Sequence, residues 1–83
     1  MNPDQFLTKA KESVIKAEKQ VDFSPDELFI VWFCKTLGNW KALISTDVYD
    51  GAYWEVTHNG AKTETYVDTY NKIRNVAVKD GEV

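Results

Sequence analysis

The side chains with which chemistry could begin are few: one histidine, one cysteine and a pair of glutamates in neighbouring segments. His58 stands beside Asn59 at a turn, where a lone histidine is ordinarily solvated, because acid–base catalysis needs a second group held against it. Cys34 with His58 is the sole nucleophile–base combination. The strand pairing derived below puts Leu43 between them, about two strand spacings of roughly 4.8 Å each, too far for a direct hydrogen bond. Glu55 and Glu64 fall opposite one another if a fourth strand forms. Facing carboxylates can raise one pKa and serve acid–base or metal chemistry, but Lys35 and Lys62 nearby favour a solvated pair. One cysteine and one histidine cannot supply a structural zinc site. The four glycines are scattered and form no phosphate-binding loop. The sequence therefore assigns no catalytic residue, cofactor or metal, and reads as a non-enzyme.

The stretch from Leu28 to Val56 positions these residues. It holds all three tryptophans and the cysteine, with a Gly38-Asn39 turn and an Asp50-Gly51 turn separating runs rich in β-branched and aromatic residues. Glycine leading a two-residue turn indicates type II′, which sets Leu37 opposite Trp40; Asp-Gly indicates type I′, which sets Tyr49 opposite Ala52. Asn59-Gly60 is a third hairpin signal, placing His58 opposite Ala61 and making Lys62–Val67 a fourth strand. The same segment also fits a helical stripe through Tyr66, Tyr70, Ile73 and Ala77, but threonine-rich alternation and the Asn-Gly turn favour strand.

Ahead of this meander, Phe6, Leu7, Ala10, Val14, Ala17 and Val21 recur at spacings of three and four, which predicts an amphipathic helix over residues 3–21. Asn2 is a suitable N-cap, Pro3 suits the first helical position, and Gln5 stands where a capping-box side chain reaches back. After the meander, Asp68 is placed to cap a short helix from about Thr69 to Val78, with Arg74 and Lys79 near the end where cations are favoured. Residues 80–83 carry nothing to anchor them and are expected to fray. The prediction is a single α+β domain over residues 1–79, an antiparallel meander of three to four strands with both helices on one face.

Eighty-three residues suffice for one small core, and an aromatic content of 13% with a net charge of −3 excludes a disordered chain. The charges are mixed and mildly acidic, which disfavours a protein that tracks nucleic-acid phosphates with clustered Lys and Arg. A single cysteine among apolar neighbours suggests a buried, reduced thiol and a cytoplasmic setting. No apolar run approaches the length of a membrane span and the N-terminus lacks a signal-peptide pattern, so neither a membrane nor a secreted location is expected.

Strand alternation assigns faces. Ile30, Trp32, Cys34, Leu43, Ser45, Trp54, Val56, Thr63 and Thr65 share one face, expected beneath the helices, so Trp32 and Trp54 should matter most to stability. On the other face Phe29, Val31, Phe33, Trp40 and Ile44 form a contiguous apolar patch, and such patches usually mark an interface with a second copy or another protein. The assignment holds only for an unbroken register: one bulge near Thr46 or Asp47 would shift the later strands relative to this patch. The alternative is a nucleic-acid-binding module using Trp40 with Lys35 and Lys41, because open sheets of RNA-binding domains stack bases on aromatics. The second helix begins after Asp68 and lacks the Lys-Lys start with which double-stranded-RNA-binding domains grip phosphates.

The run Val31-Trp-Phe-Cys-Lys-Thr-Leu-Gly-Asn-Trp-Lys-Ala-Leu-Ile-Ser-Thr46, with Asp50–Gly60 and Tyr66–Tyr70, resembles a family of small uncharacterised proteins encoded by phages and prophages of Gram-positive bacteria. Trp-x-Cys-Lys-Thr-Leu and Lys-Ala-Leu-x-Ser-Thr are its most specific segments, and the likeness covers about residues 28–75. No activity or catalytic residue is implied. The resemblance implies a context, an accessory protein inside the host cell that binds a host or phage protein.

Overall fold

The computed structural model describes residues 1–48 and 50–82. Helix α1 (Pro3–Ala17) is followed by a 3₁₀ turn (Pro25–Glu27) and by strands β1 (Leu28–Thr36), β2 (Asn39–Thr46), β3 (Ala52–Asn59) and β4 (Glu64–Asn71). The strands form one open antiparallel sheet in chain order. Helix α1 lies across β2, β3 and β4 on a single face. This is the expected α+β meander, with four strands.

The start of α1 follows its sequence signals. Asn2 Oδ1 accepts from the Gln5 backbone N–H at 2.8 Å and Gln5 Oε1 accepts from the Asn2 N–H at 2.9 Å, the reciprocal capping box. Phe6, Ala10 and Val14 are buried against the sheet. The helix stops at Ala17, short of the expected Val21. Glu18 leaves it to accept from Trp54 Nε1 at 2.9 Å and Thr69 Oγ1 at 3.1 Å. Its carboxylate thereby satisfies the indole N–H of the largest buried side chain.

The hairpins depart from the expected registers, each for a local reason. The first turn is Leu37-Gly38, one residue early, with φ of +51° and +85°. Two positive φ values define a type I′ turn, which sets Thr36 opposite Asn39 in place of Leu37 opposite Trp40. A bulge at Val31 lies between the Ile30–Ile44 and Trp32–Leu43 pairs. Strands β2 and β3 are joined through residues 47–51, and their ladder begins at Ser45–Tyr53. Of the expected Tyr49–Ala52 pair, Tyr49 lies outside the described residues. Residues 60–63 join β3 to β4, so Asn59 pairs with Glu64. Asn59 Oδ1 accepts from the N–H groups of Ala61 and Lys62 at 3.1 and 3.2 Å, which holds the chain in a longer loop than a two-residue turn.

The C-terminal helix expected over Thr69–Val78 does not form. Asp68, its presumed cap, lies within β4 opposite Glu55, and β4 continues through Tyr70 opposite Tyr53 and Asn71 opposite Ala52. The Lys72 N–H then donates to the Gly51 carbonyl at 2.8 Å. Alternating aromatic and β-branched residues with a strand to pair against outweigh the weak helical stripe. Residues 72–79 are neither helix nor strand, and Asp80–Glu82 forms a 3₁₀ turn where fraying was expected. Val83 lies outside the described residues.

These shifts exchange faces. The β2–β3 offset differs from expectation by three residues, an odd number, so β3 is turned over relative to β2. Trp40, Ala42 and Ile44 therefore share the α1 side with Ala52, Trp54 and Val56, and all six are buried with Phe6, Ala10, Val14, Phe23 and Leu28. Phe6 stacks on Trp40 with ring centres 5.3 Å apart, and Phe23 meets Trp54 edge-on at 5.6 Å. The expected core assignment is corrected accordingly. Trp32 and Cys34 are exposed, Leu43 is half-buried, Thr63 lies in a loop and Thr65 is half-buried, while Trp54 and Val56 are core.

Candidate functional site: the open face of the sheet

With α1 on one side, cross-strand pairing arranges the other side in three rows. Phe29, Ser45, Tyr53 and Tyr70 form the first; Trp32, Leu43, Glu55 and Asp68 the second; Cys34, Lys41, Thr57 and Tyr66 the third. Phe29, Trp32, Tyr53, Tyr66 and Tyr70 are each 40–51% exposed. Ser45 is buried although it belongs to this side, because Phe29 and Tyr53 flank it and its Oγ donates to the Ala52 carbonyl at 2.9 Å. The result is an aromatic surface anchored by a satisfied polar group.

Its charges are mainly acidic. Lys41 Nζ lies 3.1 Å from Glu55 Oε1, and Asp68 stands across from Glu55 on β4. The Tyr66 hydroxyl donates to the Glu64 carboxylate, and that hydrogen bond, with smaller effects of desolvation and the negative charge, raises the phenol above its ordinary pKa. At the edge of the first row, Lys72 Nζ bonds Asp50 Oδ2 at 2.8 Å. The hydrogen bond and then the charge of the partner hold Asp50 below, and Lys72 above, their ordinary values.

The residues considered for catalysis are not brought together. Cys34 lies on the open side and His58 on the α1 side, where its Nδ1 is 3.1 Å from Thr65 Oγ1. Glu64 pairs with Asn59, so the expected Glu55–Glu64 pair is replaced by Glu55–Asp68. Among the described residues no cluster of three or more His, Cys, Asp or Glu could hold a metal ion. A shallow cleft of about 270 Å³ at the tip of the β1–β2 hairpin is lined by Cys34, Thr36, Leu37, Asn39, Trp40, Lys41 and Thr57. Beside its one thiol stands Lys41, which is ion-paired with Glu55 at 3.1 Å.

The expected contact patch is split. Phe29 is on the open face, Val31 is exposed at the bulge, and Phe33 is exposed on the α1 side of β1, beyond the strands that the helix covers. Trp40 and Ile44, 6% and 0% exposed, belong to the core. The nucleic-acid trio is also divided: Lys35 Nζ sits 5.3 Å above the buried Trp40 ring, whereas Lys41 points to the opposite face. Sequence reasoning placed Tyr53 and Tyr66 with Phe29 on the open face but missed Trp32, assigned to the core, and Tyr70, assigned to a helix. A usable signal was present in β2, where Lys41 alternates in step with Leu43 and Ser45, an awkward charge for a core face.

A helix laid over one side of an open four-stranded meander, with its other side aromatic and acidic, defines a small α+β domain with one covered and one uncovered sheet face. The chain belongs to a family of unknown function (DUF6275), whose model matches residues 4–80. Comparison with curated proteins and with solved structures found no match. Among the described residues, no helix is long and apolar enough to cross a membrane.

Proposed function

We propose that this chain is a non-enzymatic accessory protein of phage or prophage origin that acts in the host cytoplasm by protein contact, and that its contact surface is the open sheet face. The observation that carries this reading is the set of five half-exposed aromatics on the sheet face opposite α1, which no helix among the described residues packs against. Exposed aromatic side chains gathered on one sheet face favour an interface, and tyrosine and tryptophan are the residue types that dominate binding energy at protein contacts. The surrounding Glu55, Glu64 and Asp68 suit a partner with a basic rim.

The test is affinity capture from infected and uninfected host lysate with the wild type and with Tyr53→Asp plus Tyr66→Asp, both first shown folded by circular dichroism. Loss of a specific captured protein in the variant is expected. Recovery of the same proteins by both sinks the open-face assignment. For the nucleic-acid alternative the decisive measurement is titration with labelled single- and double-stranded oligonucleotides at low salt. Three acids against one lysine on the open face predict no saturable binding. Salt-sensitive binding that disappears in Trp32→Ala would overturn the protein-contact reading.

A further inference from the structure

Strand β1 is built like a strand from the middle of a sheet and lies at its edge. From Leu28 to Cys34 it carries no charge, and its apolar side chains fall on both faces, a pattern of strands covered on both sides. Strand β4, the other edge, is interrupted by Glu64 and Asp68 and by threonines, the kind of composition that blunts an edge. Phe29, Val31, Trp32 and Phe33 are all 42–46% exposed. Thr36 and Asn39 close the type I′ turn as a hydrogen-bonded pair, so alternation directs the N–H and C=O of Phe33 and Lys35 away from β2.

We propose that β1 pairs antiparallel with β1 of a second copy about a two-fold axis between Val31 and Trp32, joining two four-stranded sheets into one of eight. This deepens the contact reading above, resting on it in taking exposed apolar side chains of this sheet as an interface, and it names the edge and the partner. Two features select the second copy. The first is charge. The strand is flanked by Asp26 and Glu27 at its start and by Lys35 at its end, so antiparallel self-pairing brings each Lys35 alongside the acids of the other copy.

The second is the bulge. Because Val31 interrupts the alternation, Leu28, Ile30, Phe33 and Lys35 face α1, while Phe29, Trp32 and Cys34 face away. A two-fold pairing that sets Ile30 against Phe33, Leu28 against Lys35 and Phe29 against Cys34 then matches like face with like face at each of these pairs. Shifting one copy by a single residue would oppose unlike faces. Phe33, left uncovered by α1, gains a neighbour in Ile30 of the other copy. The open aromatic faces of the two copies become continuous.

Light scattering and sedimentation equilibrium over a concentration series test this. The wild-type mass should rise from 9.5 kDa toward twice that value. Phe33→Pro removes an outward N–H where an edge strand tolerates proline, and should give a monomer with an unchanged far-UV spectrum. Lys35→Glu should raise the dimer dissociation constant roughly tenfold at low salt, and adding Asp26→Lys should restore it to within about threefold. If Phe33→Pro does not fold, the charge exchange decides alone. A wild type that stays at 9.5 kDa into the millimolar range overturns the proposal, as does a dimer indifferent to the folded Phe33→Pro variant or a charge exchange that does not restore pairing. A monomer that still captures a partner through Tyr53 and Tyr66 would refute the dimer alone. A β1 dimer whose capture ignores those tyrosines would refute the open-face reading alone.

Discussion

Replacing Trp54 and Trp32 by alanine, one at a time, tests the register on which every surface above depends. Trp54 is fully buried, donates from Nε1 to Glu18 at 2.9 Å and packs edge-on against Phe23. Truncating a core tryptophan costs about 3–5 kcal/mol, to which the lost bond to Glu18 contributes. Trp32 is 42% exposed on the open face, so its loss removes a fraction of the area and leaves no enclosed cavity, for about 1–2 kcal/mol. A domain of 83 residues has roughly 4–12 kcal/mol of stability in total. Trp32→Ala should therefore lower Tm by roughly 5–15 °C, while Trp54→Ala should lower it by more than about 15 °C or leave the chain unfolded. Urea and thermal unfolding followed by far-UV circular dichroism measure both, at low protein concentration so that self-association does not contribute. Equal costs, or a larger cost for Trp32, would return Trp32 to the core face beside Trp54 and refute the odd β2–β3 offset.

Leu37 adopts φ +51° and is 97% exposed, so Leu37→Asn should relieve left-handed strain without losing packing and stabilise the fold by about 0.5–1 kcal/mol in the same unfolding assay. At Gly60 an added Cβ would lie 2.7 Å from the Gly38 carbonyl oxygen, a backbone atom that cannot move aside alone; Gly60→Ala should cost about 1–3 kcal/mol by the same measure. Tyr66 should ionise above the ordinary tyrosine range in an ultraviolet titration, and Glu64→Gln should bring it down. Because its pKa is raised in the folded chain, the bond to Glu64 supports the fold below the ordinary tyrosine value and is lost as pH rises through the folded value. The Asp50–Lys72 pair should support closure of β4 onto the β2–β3 connection above the ordinary aspartate range and below the ordinary lysine range. It is lost as pH falls through the lowered Asp50 value or rises through the raised Lys72 value, which nuclear magnetic resonance of the two side chains reads directly.

The elements were legible where local chemistry fixes them: the Asn2-Pro3-x-Gln5 cap, the helical stripe through Phe6, Ala10 and Val14, and three β-rich runs separated by turn residues. The faces were not, because they depend on the parity of each connection. Leu37 in a left-handed conformation is disfavoured by its own side chain, so a sequence reading places the turn at Gly38-Asn39. Asp50-Gly51 is a strong turn signal, yet the chain between β2 and β3 takes five residues, and the odd difference reverses which side of β2 shares a face with Trp54 and Val56. The bulge at Val31 has no glycine to announce it. Thus Trp54 and Val56 were correctly placed in the core, whereas Trp40 and Ile44 exchanged roles with Trp32 and Cys34.

The same irregularity ties the fold to the proposed contacts. An unbroken β1 over Leu28–Cys34 would put Phe29, Val31 and Phe33 on one face and Ile30 and Trp32 on the other. With Val31 bulged, Ile30 and Phe33 join the α1 side while Phe29 and Trp32 join the aromatic surface. The strand is therefore apolar toward both sides and along an unpaired edge, a combination that a monomer leaves half-exposed. Pairing that edge with its own copy covers it and at the same time extends the row formed by Phe29, Tyr53 and Tyr70 into the row of Cys34, Lys41, Thr57 and Tyr66 of the other copy. A second protein binding the open face would then meet a surface two copies wide, so its affinity should depend on the concentration of this chain as well as on Tyr53 and Tyr66.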